Sequence, residues 1–399
     1  MIGRSDSVGY RWTRTPAAAR HFTPRRASCN RRAVWKAARR GACHVKIERG
    51  NLRFVTSYLS SLPESRVPDP ASAPPLRWGI LAPGWIASLF TEALAAHTTQ
   101  QVVAVGSRSV ERAAAFAQKY GIARSYGSYE ELVDDDGVDA VYVASPHSGH
   151  HAQALLSLAA GKPTLVEKAF TRNAGEASDV IDAARSAGLA LMEAMWPRFQ
   201  PQTDVIRQLL ADGALGTPTT VIADHGQYFD FDPQHRLYNP DLAGGAVLDL
   251  GVYPISFASF ALGAPTQITA VGDLTTTGVD GQVSLVLRSG DAHASLNTTL
   301  YSKTPTTAII SGPGGMVQLS GPFYAPATLT WTPRGGEVVV RERGPVIGHR
   351  ALCYEAAEFA RVVTSGATES EFLPLDETLS IMKTMDEVRR QIGMTLPGE

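Results

Sequence analysis

The apolar positions of this 399-residue chain change pattern twice. Over residues 1–50 no hydrophobic period persists. From Leu76 onward, short apolar runs alternate with stretches of helical period. Leu76–Leu81 runs into a Gly/Pro turn and predicts a strand. After it, Ile86, Leu89, Phe90, Ala93 and Leu94 fall on one helix face. Val102–Val105 predicts a strand, and Val110–Tyr120 a helix with Ala113, Phe116, Ala117 and Tyr120 on one side. Asp139–Ala144, Pro163–Val166 and Leu189–Met192 predict further strands, with helices at Ala152–Ala160 and Ala174–Ala187 between them. Such alternation with short turns implies a parallel sheet covered on both faces, joined by right-handed crossovers.

The second half reads differently. Thr203–Ala211 predicts a helix and Thr217–Asp224 a strand, followed by an irregular aromatic stretch, Gln227–Pro240. Beyond Gly263 the period becomes two: Val283, Leu285 and Leu287 alternate, Ser289–Asp291 turns, and Ala292–Leu300 returns. Ala308–Ser311 with Met316–Leu319, and Leu329–Thr332 with Glu337–Arg341, flank glycine turns, so an antiparallel meander is expected. Helices at Ala351–Thr364 and Asp376–Gln391 close the chain, the last expected to return towards the first domain. The fold class is α/β. A doubly wound N-terminal domain (76–196) precedes a C-terminal α+β domain (197–399) with an open, mostly antiparallel sheet. That open sheet needs a cover, and a second subunit is the simplest one, giving a homodimer or larger homo-oligomer.

Composition adds limits. With 44% hydrophobic and 19% charged residues the chain is globular, and three cysteines exclude a disulfide scaffold. No uninterrupted apolar run approaches a membrane span, and a cytoplasmic enzyme is expected. The net charge of −1 hides a split. Residues 1–75 carry 15 Lys and Arg against 4 Asp and Glu, leaving 22 against 34 in the rest. An acidic body argues against nucleic-acid binding there. The basic arm has paired arginines (Arg25-Arg26, Arg31-Arg32, Arg39-Arg40). It is readable as a transit peptide, a nucleic-acid-binding tail, or translation from a start placed too far upstream, and its composition favours the last. Cys29, Cys43, His21 and His44 lack the paired spacing of a zinc site. Residues 63–75, with five prolines, read as a flexible lead-in, and Val67 or Leu76 lies near where a shorter protein would begin.

Candidate chemistry starts at the first turn. A dinucleotide fingerprint is G-x-G-x-x-G/A, and here the turn reads Ala82-Pro83-Gly84-Trp85-Ile86-Ala87. Gly84 permits close approach of a pyrophosphate to the helix N-terminus, while Ala82 replaces the first glycine and Pro83 removes a donor. The second strand ends in Ser107-Arg108 where an NAD site would place an acid. An arginine with a hydroxyl holds a 2′-phosphate, so NADP is favoured, with NAD as the alternative.

Three blocks then stand in order: Ser145-Pro146-His147-Ser148-Gly149-His150-His151; Val166-Glu167-Lys168-Ala169-Phe170; and Gly244-Gly245-Ala246-Val247-Leu248-Asp249-Leu250-Gly251-Val252-Tyr253-Pro254. Over about residues 76–395 the chain resembles the glucose–fructose oxidoreductase / inositol dehydrogenase family, most of all its dihydrodiol and NADP-dependent D-xylose dehydrogenase branch. Met192–Phe199 and His235–Pro240 look like that branch too. The resemblance implies a Rossmann domain, a C-terminal sheet that supports dimerisation, and hydride exchange between nicotinamide and a sugar or cyclic trans-diol. It matches the family's lysine to Lys168, its aspartate to Asp249 and its tyrosine to Tyr253. It departs at Ala169, where the family has proline. Ser145, Pro146, His147 and His150 are expected at the nicotinamide end, with Glu167, Lys168, Trp196 and Arg198 also along the cofactor. Arg236 and Tyr238 from the aromatic loop, and Phe170, are candidate substrate contacts. No metal is expected: of His147, His150 and His151, the helix after the fourth strand would bring only His147 and His151 together, which supplies two ligands, and no thiol is nearby.

The residues themselves suggest roles. Removing a hydroxyl proton needs a base, and a tyrosine is a poor one unless a nearby ammonium favours the phenolate. Lys168 beside Tyr253 forms such a pair, and Asp249 can orient Lys168 or hold a substrate hydroxyl. Pro254 predicts a break at Tyr253, with the helix Ile255–Ala261 beyond it. The competing function is a dinucleotide-sensing regulator of the same fold without turnover. Such a sensor need not keep lysine, aspartate and tyrosine, and this chain keeps all three.

Overall fold

The computed structural model describes residues 61–399, together with two antiparallel strands, His44–Glu48 and Asn51–Val55. That strand pair and residues 61–399 belong to separate units, and the second carries the sheets described below. The readings of the basic arm fall outside the described residues.

The first sheet has six parallel strands: β1 (Arg77–Leu81), β2 (Gln101–Gly106), β3 (Arg124–Tyr126), β4 (Ala140–Val143), β5 (Thr164–Glu167) and β6 (Leu191–Ala194). Their spatial order is β3-β2-β1-β4-β5-β6. That is the doubly wound order, with its switch point between β1 and β4, where ligands bind outside the strands' carboxyl ends. β4, β5 and β6 are buried at every residue, as strands covered on both faces must be. Helices α1 (Trp85–His97), α2 (Val110–Tyr120), α3 (Tyr129–Val133), α4 (His147–Ala159) and α5 (Ala174–Ala187) supply the cover. α2 and α5 match the predicted bounds because both carry their own stop signals. Ser109 and Asn173 cap the starts, and Gly121 and Gly188 end them at φ +66° and +65°. In the core, Trp78 packs edge-on against Phe90, which stacks on Tyr142 with ring centres 4.0 Å apart.

The second sheet has eight strands: β7 (Thr220–Gly226), β8 (Gln267–Leu274), β9 (Asp280–Ser289), β10 (Ala292–Thr299), β11 (Ala308–Gly312), β12 (Gly315–Leu319), β13 (Leu329–Pro333) and β14 (Val339–Arg341). The order is β8-β9-β10-β7-β11-β12-β13-β14. Only β10 with β7 is a parallel pair. Val283, Leu285 and Leu287 of β9 point inward, against a layer that includes α7 (Val252–Leu262) and α9 (Leu375–Gln391). The other face exposes Ile222, Val271 and Val286. Two further helices, α6 (Pro201–Ala211) and α8 (Leu352–Ser365), join the sheets. α9 does return to the first sheet, where Thr378 donates to Glu193 and Asp386 accepts from the Ala174 amide.

Three expectations are corrected. Residues 61–75 are docked, not a loose lead-in. Leu62 and Ala73 are buried, and Arg66 binds the buried Asp204 through both backbone and guanidinium. α4 starts at His147, so the histidine block forms its first turn. Finally, no break occurs at Tyr253. A π-turn, Val247–Gly251, leads directly into α7. Pro254 offers no N–H to the Leu250 carbonyl, and His225 Nδ1 takes that place at 3.2 Å. A mid-helix π-turn of this kind is frequent at functional sites. The run Pro240–Leu262 is apolar and long enough to cross a membrane, yet most of it is buried inside the body.

Candidate active site

A cleft of about 690 Å³ opens at the switch point and runs between the two sheets. Its first wall is the β1–α1 turn. Ala82 occupies φ +66°, the left-handed region that favours glycine, so the turn keeps its shape without the fingerprint's first glycine. Gly84 precedes the helix with no side-chain cap. A Cβ there would meet only the Ala82 carbonyl, 4.0 Å away, so the floor before the helix amides is open. Free first-turn N–H groups over an open floor fit a pyrophosphate. Ser107, Arg108 and Arg112 stand at the end of β2 and the start of α2, and Arg112 lines the cleft. Cationic and hydroxyl donors at that end fit the adenosine half of a dinucleotide, as the open turn fits its pyrophosphate. Sequence reading missed Arg112, which lies four residues after Arg108, in the first turn of α2.

The far end holds the reactive side chains. Lys168 follows β5, and its peptide bond to Ala169 is cis. Its ammonium donates to the Asp249 carbonyl at 2.8 Å and to the Asp249 carboxylate at 3.3 Å. Arg236 grips the same carboxylate with two nitrogens, at 2.8 and 3.3 Å. Burial opposes a charge on Asp249, but Lys168 and Arg236 outweigh it and hold its carboxyl far below the usual range. The paired glycines of the third block let the Arg236 loop approach. A Cβ on Gly244 would come within 2.6 Å of the Leu237 carbonyl. One wide helical turn beyond Asp249, Tyr253 presents its ring to Lys168, whose nitrogen lies 5.0 Å from the ring centre.

This geometry corrects the Lys168–phenolate pairing expected from sequence. The ammonium sits over the tyrosine's ring face, and Asp249 takes its hydrogen bonds. The Tyr253 hydroxyl instead accepts from Trp196 Nε1 at 3.1 Å. Burial pushes the Tyr253 pKa well above its usual value, against the opposing pull of the Trp196 bond. Tyr253 is therefore a protonated phenol here, with its own O–H free to donate.

Around this pair lies an aromatic wall that sequence reading did not find. Tyr324 stacks on Tyr253 and packs at a tilt against His225, with ring centres 4.6 Å apart in each case. Because Leu250's carbonyl only accepts, His225 carries its proton on Nδ1. Its Nε2 faces the Gln227 amide at 3.1 Å. Phe229, His235 and His349 complete the lining. Tyr324 and His349 come from far beyond the motif blocks, and no local pattern marks them.

The remaining candidates divide. Pro83, Trp85, Ile86, Ser145, Pro146, His147, Glu167, Trp196 and Arg236 all line the cleft. Burial pushes the His147 pKa down to about 3, and its Nδ1 donates to the Ala243 carbonyl at 2.9 Å. Four residues fall elsewhere. His150 is fully buried, with its ring nitrogens 2.9 and 2.8 Å from the Ala169 and Ser145 carbonyls, so it braces two cleft loops from behind. Arg198 is buried against Glu377 and Ser256, tying α9 to α7. Phe170 is wholly buried in the core. Tyr238 is buried too, donating to the Phe229 carbonyl and packing the loop on itself. Among the described residues no three His, Cys, Asp or Glu side chains converge as a metal site; His151 turns away to Asp179.

The comparisons agree with this architecture. Residues 76–195 match the model of an oxidoreductase family with an NAD-binding Rossmann fold, and residues 204–318 match the GFO/IDH/MocA C-terminal domain. The chain is 39% identical over 340 residues to trans-1,2-dihydrobenzene-1,2-diol dehydrogenase of Mus musculus, covering 81% of this chain and 99% of that one. It is 38% identical to D-xylose 1-dehydrogenase (NADP(+)) of Hypocrea jecorina, covering 81% and 93%. Among solved structures, a 3-ketoreductase from Actinomadura kijaniata in complex with NADP and TDP-benzene superposes with TM-score 0.70 at 28% identity, over 80% of this chain and 98% of that one. An aldose-aldose oxidoreductase from Caulobacter crescentus complexed with glycerol gives TM-score 0.72 at 25% identity, over 80% and 97%. The chain belongs to the Gfo/Idh/MocA family of NAD(P)-dependent oxidoreductases.

Proposed function

We propose that the protein interconverts a secondary alcohol or hemiacetal and its carbonyl on a sugar or cyclic trans-diol, using NADP in preference to NAD. The observation that carries this reading is the buried Lys168–Asp249 pair beside the Tyr253 ring, in a cleft that begins at an uncapped helix N-terminus. The bound nicotinamide supplies the hydride acceptor or donor. Arg108 and Arg112 would hold the 2′-phosphate, and the α1 amides the pyrophosphate.

The rest falls to side chains of this chain. Tyr253 donates its O–H to the substrate oxygen and gives up that proton when a carbonyl is reduced. Lys168 places a positive charge beside the substrate oxygen as it gains electrons. Oxidation runs the same proton transfer backwards and needs the phenolate, so it should be favoured at alkaline pH. Asp249 holds the Lys168 ammonium in place through its carbonyl and carboxylate. Trp196, Tyr324 and Phe229 offer ring faces to the carbon skeleton, while Arg236 offers its exposed edge to a hydroxyl. We further propose that the protein acts in the cytoplasm, and that the open face around Ile222, Val271 and Val286 pairs with a second copy.

A panel of sugars and trans-dihydrodiols, each assayed with NADP and with NAD by nicotinamide absorbance, tests the reading. Turnover with at least one such substrate, lost in K168M, is expected. Tight cofactor binding with no reduction by any member would favour a sensor instead.

A further inference from the structure

One aromatic contact lies outside the roles assigned so far. Trp85, the first residue of α1, is two-thirds exposed, an unusual position for so large an apolar ring. It is not isolated. Its ring meets that of His349 edge to face, with centres 5.0 Å apart. His349 in turn stacks on Trp196, centres 5.4 Å apart and planes within 20°. Trp196 carries the N–H that binds the Tyr253 hydroxyl. A continuous line of side chains thus runs from the β1–α1 turn to the proposed acid: Trp85, His349, Trp196, Tyr253.

His349 reaches this place on the segment that leaves the outer edge of the second sheet after β14 and enters α8. Next to it, Arg350 donates to the Glu92 carbonyl at 2.9 Å, and its guanidinium stands 3.9 Å from the Glu92 carboxylate. Both contacts are to α1. The segment is therefore fastened to the same helix whose N-terminus faces the open turn. Burial, with Lys168 nearby, keeps the His349 pKa below its usual value.

We propose that His349 is a positioning residue that closes the cleft over the bound dinucleotide, clamped between Trp85 and Trp196, and so governs how long the dinucleotide stays. The proposal rests on the reading that a dinucleotide lies along the Ala82–Ile86 turn. Trp85 belongs both to that turn and to the contact, and His349 and Trp196 line the same cleft.

The test is the dissociation rate of NADPH from the full chain, followed by stopped-flow loss of energy transfer from tryptophan to the reduced nicotinamide. H349A and W85A are each expected to speed release by about tenfold, the loss of one or two aromatic contacts. The W85A/H349A double variant should be no faster than the faster single, because both remove the same closure. H349F, which keeps a neutral stacking ring, should hold release within about threefold of the parent. Parent-like release from H349A overturns the proposal. So does a double variant whose effect equals the product of the singles. If the parent chain binds neither NADPH nor NADH, the cofactor reading itself falls and this proposal with it. Binding with unaltered rates in the variants removes the clamp alone.

Discussion

Asp249 and Glu355 are buried to nearly the same degree and ionise in opposite senses. Asp249 has Lys168 and Arg236 on its oxygens and stays charged. Glu355, on α8 beneath the cleft floor, has no hydrogen-bond donor on either oxygen, and burial with Glu167 and Glu193 nearby drives its pKa far up. Glu193 is intermediate. Thr378 binds one oxygen, the other has no partner, and burial pushes its pKa up to about 7. The contrast teaches that burial alone does not set a charge in this molecule; the cations supplied by Lys168 and the Arg236 loop do. They are supplied where an oxygen must change charge and withheld one layer below.

The sharpest way to break that contrast is to remove the cation. In K168M, the positive charge beside the reacting oxygen is gone, and kcat should fall on the order of a thousandfold. Arg236 still grips Asp249, so the fold should persist, which a thermal melt checks. A loss below about tenfold would mean that Lys168 does not face the reaction.

The layer below should show itself through stability. Glu193 and Glu355 bind protons more tightly folded than unfolded. Stability is therefore fully present below the unfolded value, about pH 4.3 for a glutamate, and falls as pH rises. For Glu193 the fall should end near its folded value of about 7 and amount to on the order of 3 kcal/mol. Glu355 extends the decline to higher pH. Asp249 has the opposite sign: its contribution is present above about pH 3.9 and is lost only in acid. Urea melts of E193Q should flatten the slope between about pH 5 and pH 7. An unchanged slope would show that Glu193 is ionised in the folded protein and that its surroundings supply a cation after all.

A smaller effect belongs to the adenosine end, where cations stand exposed and free. R112A should raise KM for NADP by about tenfold and leave KM for NAD within about twofold, since only one cofactor carries the 2′-phosphate. Equal losses with both cofactors would put Arg112 on the shared part of the dinucleotide.

How much of this was legible before folding depends on whether the signal was local. The alternation of apolar runs and helical periods marked out most of the first sheet, and α2 and α5 carry their own caps. The motif blocks delivered Lys168, Asp249 and Tyr253 to one end of one cleft. By contrast β3, three residues long, and the five-residue α3 carry too few positions to show a period. Edge strand β8 hides its inward face among partly exposed residues. The unbroken helix through Pro254 depends on His225, a strand residue whose ring supplies the missing donor. Arg198 and Tyr238 are chemically equipped for ligands, yet tertiary partners consumed their polar groups first. Nothing in the residue type distinguishes those fates. Tyr324 and His349 join the wall only because the second sheet folds back over the first.

The least effect expected is the most specific about Tyr253. Its hydroxyl accepts one hydrogen bond from protein, that of Trp196, and such a bond favours the phenolate. In W196F the ring remains to stack on His349, and only the N–H is lost. Without the donor, burial acts on Tyr253 unopposed and its pKa must rise. Oxidation, which needs the phenolate, should then have its rising limb displaced to higher pH by about one unit, the equivalent of one ordinary hydrogen bond. Reduction uses the protonated phenol, so its falling limb should move the same way by the same amount. A packing defect would lower both rates without moving either limb. Displacement of both limbs together marks Tyr253 as the group that holds the proton, while fixed limbs would pass that role to Lys168.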